Sequence, residues 1–216
     1  MAWPRHCAGV TRGRFITFEG GEGTGKSTQA ARLVARLQAR GLDVVRTREP
    51  GGSPGAEDIR ALVVSGAAER WSARTELLLM YAARSDHLER TITPALQAGR
   101  WVVCDRFADS SRVYQGLAGG ADLDLVAAME RGVVGGHQPD LTLVFDLPFE
   151  VGLERALGRG AAETRFESKG AAFHARLRDG FRAVADANPD RCRLIDASGD
   201  PDVVAERVWA AVEPLL

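Results

Sequence analysis

Short apolar runs alternate along the chain with longer amphipathic stretches. The runs are apolar nearly throughout, as expected of strands that are buried on both faces of a sheet. The stretches between them repeat apolar positions at helical spacing. We therefore predict strands over residues 14–18, 43–47, 101–104, 141–145 and 193–195. Predicted helices cover residues 25–40, 55–65, 73–98, 109–115, 123–134, 149–157, 168–187 and 201–212.

This alternation predicts an α/β fold of three layers, with a parallel sheet flanked by helices. A chain of 216 residues suits one domain, which we place at residues 14–216. Residues 1–13 are basic and lack an apolar stretch, so we expect a flexible extension and not a secretory signal. Ligands of such folds bind at the carboxyl ends of the strands, and we expect the functional residues directly after each strand.

Composition narrows the class of protein. Hydrophobic residues make up 45% of the chain and the net charge is -1, which excludes disordered chains and proteins that coat nucleic acid through bulk charge. Cys7, Cys104 and Cys192 are too scattered for a disulfide framework or a zinc site, and suit the reducing cytoplasm. No apolar run reaches the ~18 residues of a membrane span. We expect small-molecule partners, with no nucleic acid and no membrane.

The glycine-rich turn after the first strand carries the strongest motif. It matches G-x-x-x-x-G-K-[ST], in which backbone N–H groups surround the phosphates of a nucleotide. Lys26 would contact the terminal phosphates, and the hydroxyl of Ser27 would bind Mg²⁺. Of the 28 basic residues of the chain, 26 are arginine, so a lysine within this motif indicates a specific role for its amino group. The predicted ATP-binding residues are Gly20, Gly21, Glu22, Gly23, Thr24, Gly25, Lys26, Ser27 and Thr28.

Charged residues also follow the next strands. Arg48 and Glu49 precede a Pro-Gly-Gly turn, and Asp105 and Arg106 follow the third strand. Asp105 could order Mg²⁺ or accept a proton from the attacking oxygen, and Arg106 could hold a phosphate through two hydrogen bonds. Asp146 ends the fourth strand in a similar way. We favour Asp105 for the metal because Arg106 follows it, and we interpret Asp146 as mainly structural.

The pattern is typical of a small phosphotransferase. The one asparagine of the chain, Asn188, precedes Pro189, so the guanine-reading signature of GTPases is absent. A kinase for a nucleoside monophosphate, a kinase for a nucleoside, and a nucleotide-binding regulatory protein without transfer activity all remain open at this point. The arginines after the second and third strands favour a monophosphate acceptor.

The chain resembles bacterial thymidylate kinases in seven segments that follow the family's order. The segments are residues 18–28, 47–52, 80–84, 105–107, 110–116, 139–141 and 165–167. The P-loop alone is generic, but Arg-Glu-Pro-Gly-Gly and Ser-Ser-x-x-Tyr-Gln-Gly together are specific to the family. The resemblance implies a P-loop nucleoside-monophosphate-kinase-like fold, transfer of the γ-phosphoryl group of ATP to dTMP with Mg²⁺, and a homodimer.

The same resemblance implies a dTMP site. Arg84 should hydrogen-bond the thymine carbonyl, Ser111 and Gln115 should contact the ring edge, and Tyr114 should lie near the sugar. Met80 replaces the phenylalanine that usually stacks on thymine, and it lies one helical turn before Arg84. The full predicted set is Arg48, Glu49, Met80, Arg84, Arg106, Ser110, Ser111, Tyr114 and Gln115.

A lid is predicted over residues 155–168. Arg155 and Arg159 lie one turn apart near the end of a predicted helix, and the glycines around Arg159 permit movement. The family branch with an arginine inside the P-loop has it where this chain has Gly23, so the chain resembles the branch whose lid supplies the cation. We expect Arg159 first and Arg155 second to stabilise charge on the transferred group. The predicted catalytic residues are Lys26, Asp105, Arg106, Arg159 and Arg155, and the predicted metal ligands are Ser27 and Asp105.

Overall fold

Five parallel strands form one sheet in the order β2-β3-β1-β4-β5. The computed structural model describes residues 12–67, 69–158, 165–166 and 169–216. The strands are β1 Phe15–Gly20, β2 Val44–Arg48, β3 Trp101–Asp105, β4 Leu141–Asp146 and β5 Cys192–Asp196.

Helices cover both faces of this sheet. They are α1 Lys26–Ala39, α2 Pro54–Val64, α3 Ala73–His87, α4 Thr93–Gln97, α5 Ala108–Ser111, α6 Leu123–Met129, α7 Phe149–Leu157, α8 Ala171–Ala187 and α9 Pro201–Val212. Three π-helical segments, Leu88–Ile92, Arg112–Leu117 and Glu130–Val134, directly follow α3, α5 and α6. Such segments are uncommon and often lie at functional sites.

The core is divided by the sheet into two layers, because side chains alternate between the faces of a strand. On one face, Ile16 and Phe18 pack with Leu33 of α1 and Trp209 of α9. On the other face, Phe15 packs with residues of α3 in one cluster, and residues of β4 and α8 form a second. The predicted three-layer α/β fold is therefore confirmed.

The register aligns the ends of the central strands. Asp105 lies opposite Phe18 of β1 and opposite Arg48 of β2. The residues that follow β1, β2 and β3 consequently meet at one edge of the sheet, as the rule for parallel sheets predicts.

Several boundaries differ from the sequence prediction. The helix predicted over residues 73–98 is α3, a π-helical segment and α4, and the interruption lies just before Pro94, which has no N–H to continue the α-helical pattern. The helix predicted from residue 168 begins at Ala171. Arg12 and Gly13 contact the domain, through Asp140 and the carbonyl of Leu96, although we predicted them in the extension. Residues 1–11 lie outside the described residues.

Cysteine and membrane predictions concern the chain as a whole. Cys104 and Cys192 are buried and free, and Cys7 lies outside the described residues. In the part of the chain that the structure describes, no helix is long and apolar enough to cross a membrane.

Candidate active site

The loop between β1 and α1 encloses the side chain of Lys26. Its Nζ donates to the carbonyl oxygens of Gly21 and Gly20 at 2.6 and 3.1 Å, and to Thr24 Oγ1 at 3.3 Å. Burial and then the neighbouring Arg106 lower the pKa of Lys26 to about 8. A phosphate bound in this loop would supply a negative charge that pairs with the buried ammonium group of Lys26.

The same loop packs closely against α7. A Cβ atom on Gly23 would lie 1.8 Å from the carbonyl oxygen of Gly152, and a Cβ atom on Gly152 would lie 2.4 Å from that of Glu22. Gly23 also has a φ of +65°, which disfavours other residues. This packing leaves no space for an arginine at position 23.

Ser27 and Asp105 adjoin each other beside the loop. Ser27 Oγ donates a hydrogen bond to Asp105 Oδ2. Hydroxyl and carboxylate oxygens suit Mg²⁺, which usually binds one or two carboxylates together with phosphates and water. The described residues contain no group of three or more His, Cys, Asp or Glu that could hold a metal by themselves. The pair therefore fits a magnesium ion that binds with the nucleotide.

Arg106 forms the centre of the site. Its Nη1 donates to Gly20 O at 2.9 Å and Ser110 Oγ at 3.2 Å, and its Nη2 donates to Glu22 Oε1 at 3.1 Å. The guanidinium lies 4.8 Å from the ring centroid of Tyr114, whose hydroxyl also donates to Glu22 at 2.7 Å. Burial favours neutral Glu22, but Arg106 overcomes this effect and the pKa falls to about 2.

The buried side chain of Glu19 holds the segment that follows β3 through hydrogen bonds. It accepts hydrogen bonds from the backbone N–H groups of Phe107 and Ser110 at 2.8 and 3.2 Å, and from Ser110 Oγ at 2.5 Å. Burial and then the charge of Asp109 raise the pKa of Glu19 to about 7. Asp109 is itself held by two hydrogen bonds from Arg191, at 2.6 and 2.8 Å.

A cavity of about 290 Å³ opens beside Arg106. It brings together eight of the nine residues predicted for dTMP. They are Glu49, Met80, Arg84, Arg106, Ser110, Ser111, Tyr114 and Gln115.

Arg84 is fixed in the wall of this cavity by three hydrogen bonds. It donates to Glu49 Oε2 at 2.8 Å, Ser111 Oγ at 3.1 Å and Phe107 O at 2.9 Å. Glu49 is held on its other oxygen by His87 Nδ1 at 3.0 Å. Burial opposes the charge of Arg84, but Glu49 more than compensates and raises its pKa. The cavity is therefore bordered by a rigid cation that can only donate hydrogen bonds.

A second cavity, of about 170 Å³, lies over the P-loop. It is lined by residues 22–28 together with Arg48 and Asp105. Five residues belong to the walls of both cavities: Glu22, Ser27, Glu49, Arg60 and Arg106. The two spaces therefore meet at a pair of arginines flanked by two glutamates.

Other predicted residues either do not line both cavities or lie outside the described residues. Arg48 lines the P-loop cavity but not the larger one, and its Nη2 pairs with Glu57 at 3.1 Å. Arg155 is exposed on α7 and lines neither cavity. Arg159 lies outside the described residues, as do residues 160–164 and 167–168 of the predicted lid. Asp146 pairs with two arginines of α8, in agreement with our structural interpretation.

Among the residues of the site that sequence reasoning missed are two charged residues and one aromatic residue. Arg60 of α2 borders both cavities, Phe166 lines the larger one, and Glu76 of α3 lies behind it. None directly follows a strand, so the rule that we applied to find functional residues could not select them. Phe166 lies in residues 165–167, one of the segments that resemble the family, and this resemblance could have identified it as a site residue.

Comparisons with known proteins agree with this geometry. A family model described as thymidylate kinase matches residues 18–208. The chain is 61% identical over 199 residues to a thymidylate kinase of Caulobacter vibrioides, covering 92% of this chain and 95% of that protein. It is 57% identical over 214 residues to one of Nitrobacter winogradskyi, covering 98% and 93%. A crystal structure of thymidylate kinase from Ehrlichia chaffeensis matches with a TM-score of 0.75 and 33% identity, covering 94% of this chain and 99% of that one.

Proposed function

The chain belongs to the thymidylate kinase family, and on that premise we propose that it transfers the γ-phosphoryl group of ATP to dTMP, giving dTDP and ADP for dTTP synthesis. The observation that carries this proposal is the junction of the two cavities. A donor phosphate in the P-loop and an acceptor phosphate in the larger cavity would meet between Arg60 and Arg106.

Positioning and charge stabilisation are the chemistry that this junction can provide. The P-loop N–H groups and Lys26 would hold the β- and γ-phosphates of ATP, and the N-terminus of α1 adds its dipole. Arg106 would bind the phosphate of dTMP, with Arg48 and Arg60 nearby. The acceptor oxygen would then face the γ-phosphorus in line with the leaving group.

Magnesium fits this arrangement at Ser27 and Asp105. The ion would neutralise negative charge on the phosphates and fix their geometry. Asp105 would hold the ion directly or through an ordered water molecule.

The lid would supply a further cation to the transferred group. Gly23 leaves no space for an arginine at that position of the P-loop. Following the family branch whose lid carries the arginine, we assign this role to Arg159 before Arg155. Arg159 follows α7, which packs on the P-loop through Gly152. This placement would bring a lid cation to the phosphates without a long connection.

The thymine would bind between Met80 and the hydrogen-bonding groups of Arg84, Ser111 and Gln115. Tyr114 would lie beside the sugar, near Glu22. Met80 is polarisable and adaptable, so it can pack against a base face.

We also propose a cytoplasmic homodimer. Leu78 of α3 and Leu123 of α6 are 43% and 51% exposed, and these neighbouring helices offer an apolar surface to a second copy. Cys104 and Cys192 are free thiols, which suits a reducing compartment.

A coupled ADP-release assay tests the proposed activity. The purified chain is supplied with ATP and Mg²⁺, and with dTMP, dUMP, dCMP or thymidine as the acceptor. We expect strong turnover with dTMP and none with thymidine, because thymidine has no phosphate for Arg106. ATP binding without turnover on any acceptor would favour a regulatory nucleotide-binding protein.

A further inference from the structure

Glu76 lies behind the base cavity and holds the side chain of Gln115. Gln115 Nε2 donates a hydrogen bond of 2.8 Å to Glu76 Oε1. Glu76 and Gln115 are 4% and 1% exposed, so water competes little for this bond. Glu76 belongs to the first turn of α3 and Gln115 to the π-helical segment after α5, so the contact joins two walls of the cavity.

Arg165 holds Glu76 from the other side. Its Nη1 donates to Glu76 Oε2 and to the carbonyl oxygen of Val63, and its Nε donates to Ala67 O at 3.1 Å. Arg165 is 2% exposed. A carboxylate in such a pair is ionised, so all of its hydrogen-bonding positions are acceptors.

The amide of Gln115 consequently has one favourable orientation. Its NH₂ group must face Glu76, because an ionised carboxylate cannot donate. Its Oε1 atom is buried, and it accepts no hydrogen bond from any residue that the structure describes. The side chain lines the base cavity, so a bound base can provide the missing donor.

We propose that Glu76 is a positioning residue for base specificity, which orients the Gln115 amide so that Oε1 accepts the N3–H of thymine. The inference rests on the proposed function, since it assumes that the cavity binds a pyrimidine monophosphate. Thymine presents an N–H donor at N3 beside the carbonyl acceptor O4, and Arg84 supplies the donors for a carbonyl. Cytosine presents a lone pair at N3 and an amino group at C4. It would therefore place acceptor against acceptor at Gln115 and donor against donor at Arg84.

The test is the ratio of kcat/KM for dTMP to kcat/KM for dCMP in two variants, one whose new side chain can donate a hydrogen bond and one whose side chain cannot. In Glu76→Gln the new side chain can donate as well as accept. The Gln115 amide can then rotate by about 180° and exchange the positions of its NH₂ group and its oxygen. We expect the ratio to fall at least about tenfold, with the KM for ATP unchanged. Glu76→Asp still only accepts, so it should keep the wild-type ratio even where its KM for dTMP rises. An unchanged ratio in Glu76→Gln would overturn the proposal, since loss of a merely structural role would lower kcat/KM for dTMP and for dCMP alike.

A Gln115→Ala background provides a second control. Glu76 acts through Gln115 in this proposal, so Glu76→Gln should change the ratio no further once Gln115 is absent. A second tenfold fall in that background would overturn the assignment.

The wild-type protein gives an independent measurement in case Glu76→Gln does not fold. In a crystal structure of its dTMP complex, we expect Gln115 to stay within hydrogen-bond distance of Glu76 while its other amide atom contacts N3. A Gln115 side chain that has left Glu76 would overturn the proposal. Failure of the wild-type protein to phosphorylate dTMP would instead contradict the proposed function.

Discussion

Arg106 combines backbone strain with function at the scale of one residue. Its φ is +71°, and it is the one non-glycine with positive φ among the described residues. This conformation costs about 1–2 kcal/mol for a residue with a Cβ atom. It nevertheless turns the guanidinium into the junction of the two cavities, where the side chain contacts Glu22 and Ser110. Strain of this kind persists where the surrounding structure and the function require it.

Replacement of Arg106 should separate the strain from the function. Arg106→Gly and Arg106→Ala both lose the side-chain contacts, but only glycine relieves the backbone. We expect the glycine variant to be more stable than the alanine variant by about 1 kcal/mol, and both to have a strongly raised KM for dTMP. Urea unfolding and steady-state kinetics of the pair check this. Equal stability of the two variants would show that the loop relaxes without cost.

Glu19 should make stability depend on pH. Its pKa of about 7 in the folded chain exceeds its ordinary value of 4.5. Between these pH values the folded state keeps a proton on Glu19 that the unfolded state has lost. The protonated Glu19 therefore contributes to the free energy of unfolding in full below pH 4.5, and this contribution is lost as pH rises through about 7. Glu19→Gln cannot titrate. Its free energy of unfolding should therefore vary less with pH over this window than that of the wild type, as measured by urea titrations. Parallel curves for the two proteins would contradict the assignment.

At the scale of elements, α7 packs against the P-loop and directly precedes the segment that we propose as a lid. The backbone of its Gly152 lies against Glu22 and Gly23 without intervening side chains. A displacement of α7 would therefore move the loop that holds the phosphates.

A methyl group at this contact should impair the nucleotide site. Gly152→Ala places a Cβ atom 2.4 Å from the carbonyl oxygen of Glu22, so either the loop or α7 must shift. We expect a raised KM for ATP and a lowered kcat. Gly132→Ala is the matched control, because a Cβ atom there meets nothing within 4 Å. Equal kinetics of the two variants would show that the contact is not important for ATP binding.

The lid itself is tested through its arginines. Arg159→Ala should lower kcat on the order of 10³-fold, because a single cation on the transferred group can contribute that much. ATP affinity, measured by calorimetry, should change little. Arg155→Ala, on the exposed face of α7, should have the smaller effect. If Arg159→Ala retains full kcat, the role belongs to another cation.

Strands and helices were predictable from sequence because burial on both faces and helical spacing leave a strong pattern. The π-helical segment that holds Tyr114 and Gln115 was not predictable, since nothing in the local sequence distinguishes it from an α-helix. Residues placed after β1, β2 and β3 were found by the strand-end rule, and those of the base cavity by family resemblance. Arg60 and Glu76 lie on helix faces, where an inward-pointing charged residue has the same local sequence as a solvated one.

At the scale of the whole molecule, the exposed apolar surface of α3 and α6 predicts self-association. Leu78→Glu would place a charge on this surface and should convert a dimer to a monomer in sedimentation velocity. Val203→Glu is the control, since Val203 of α9 is similarly exposed at 50%. A monomeric wild-type protein, or a Leu78→Glu variant that stays dimeric, would contradict the proposed interface.

The scarcity of lysine makes amine chemistry selective on this chain. Lys26 and Lys169 are its two lysines. Burial and Arg106 lower the pKa of Lys26 to about 8, so its amino group loses its proton at a lower pH than that of an ordinary lysine. Lys169 lies over the ring of Phe173, at 4.5 Å, and lines neither of the two cavities. An acylating reagent should therefore modify Lys26 in proportion to the fraction of molecules without bound nucleotide, and Lys169 serves as the internal reference in the same peptide digest.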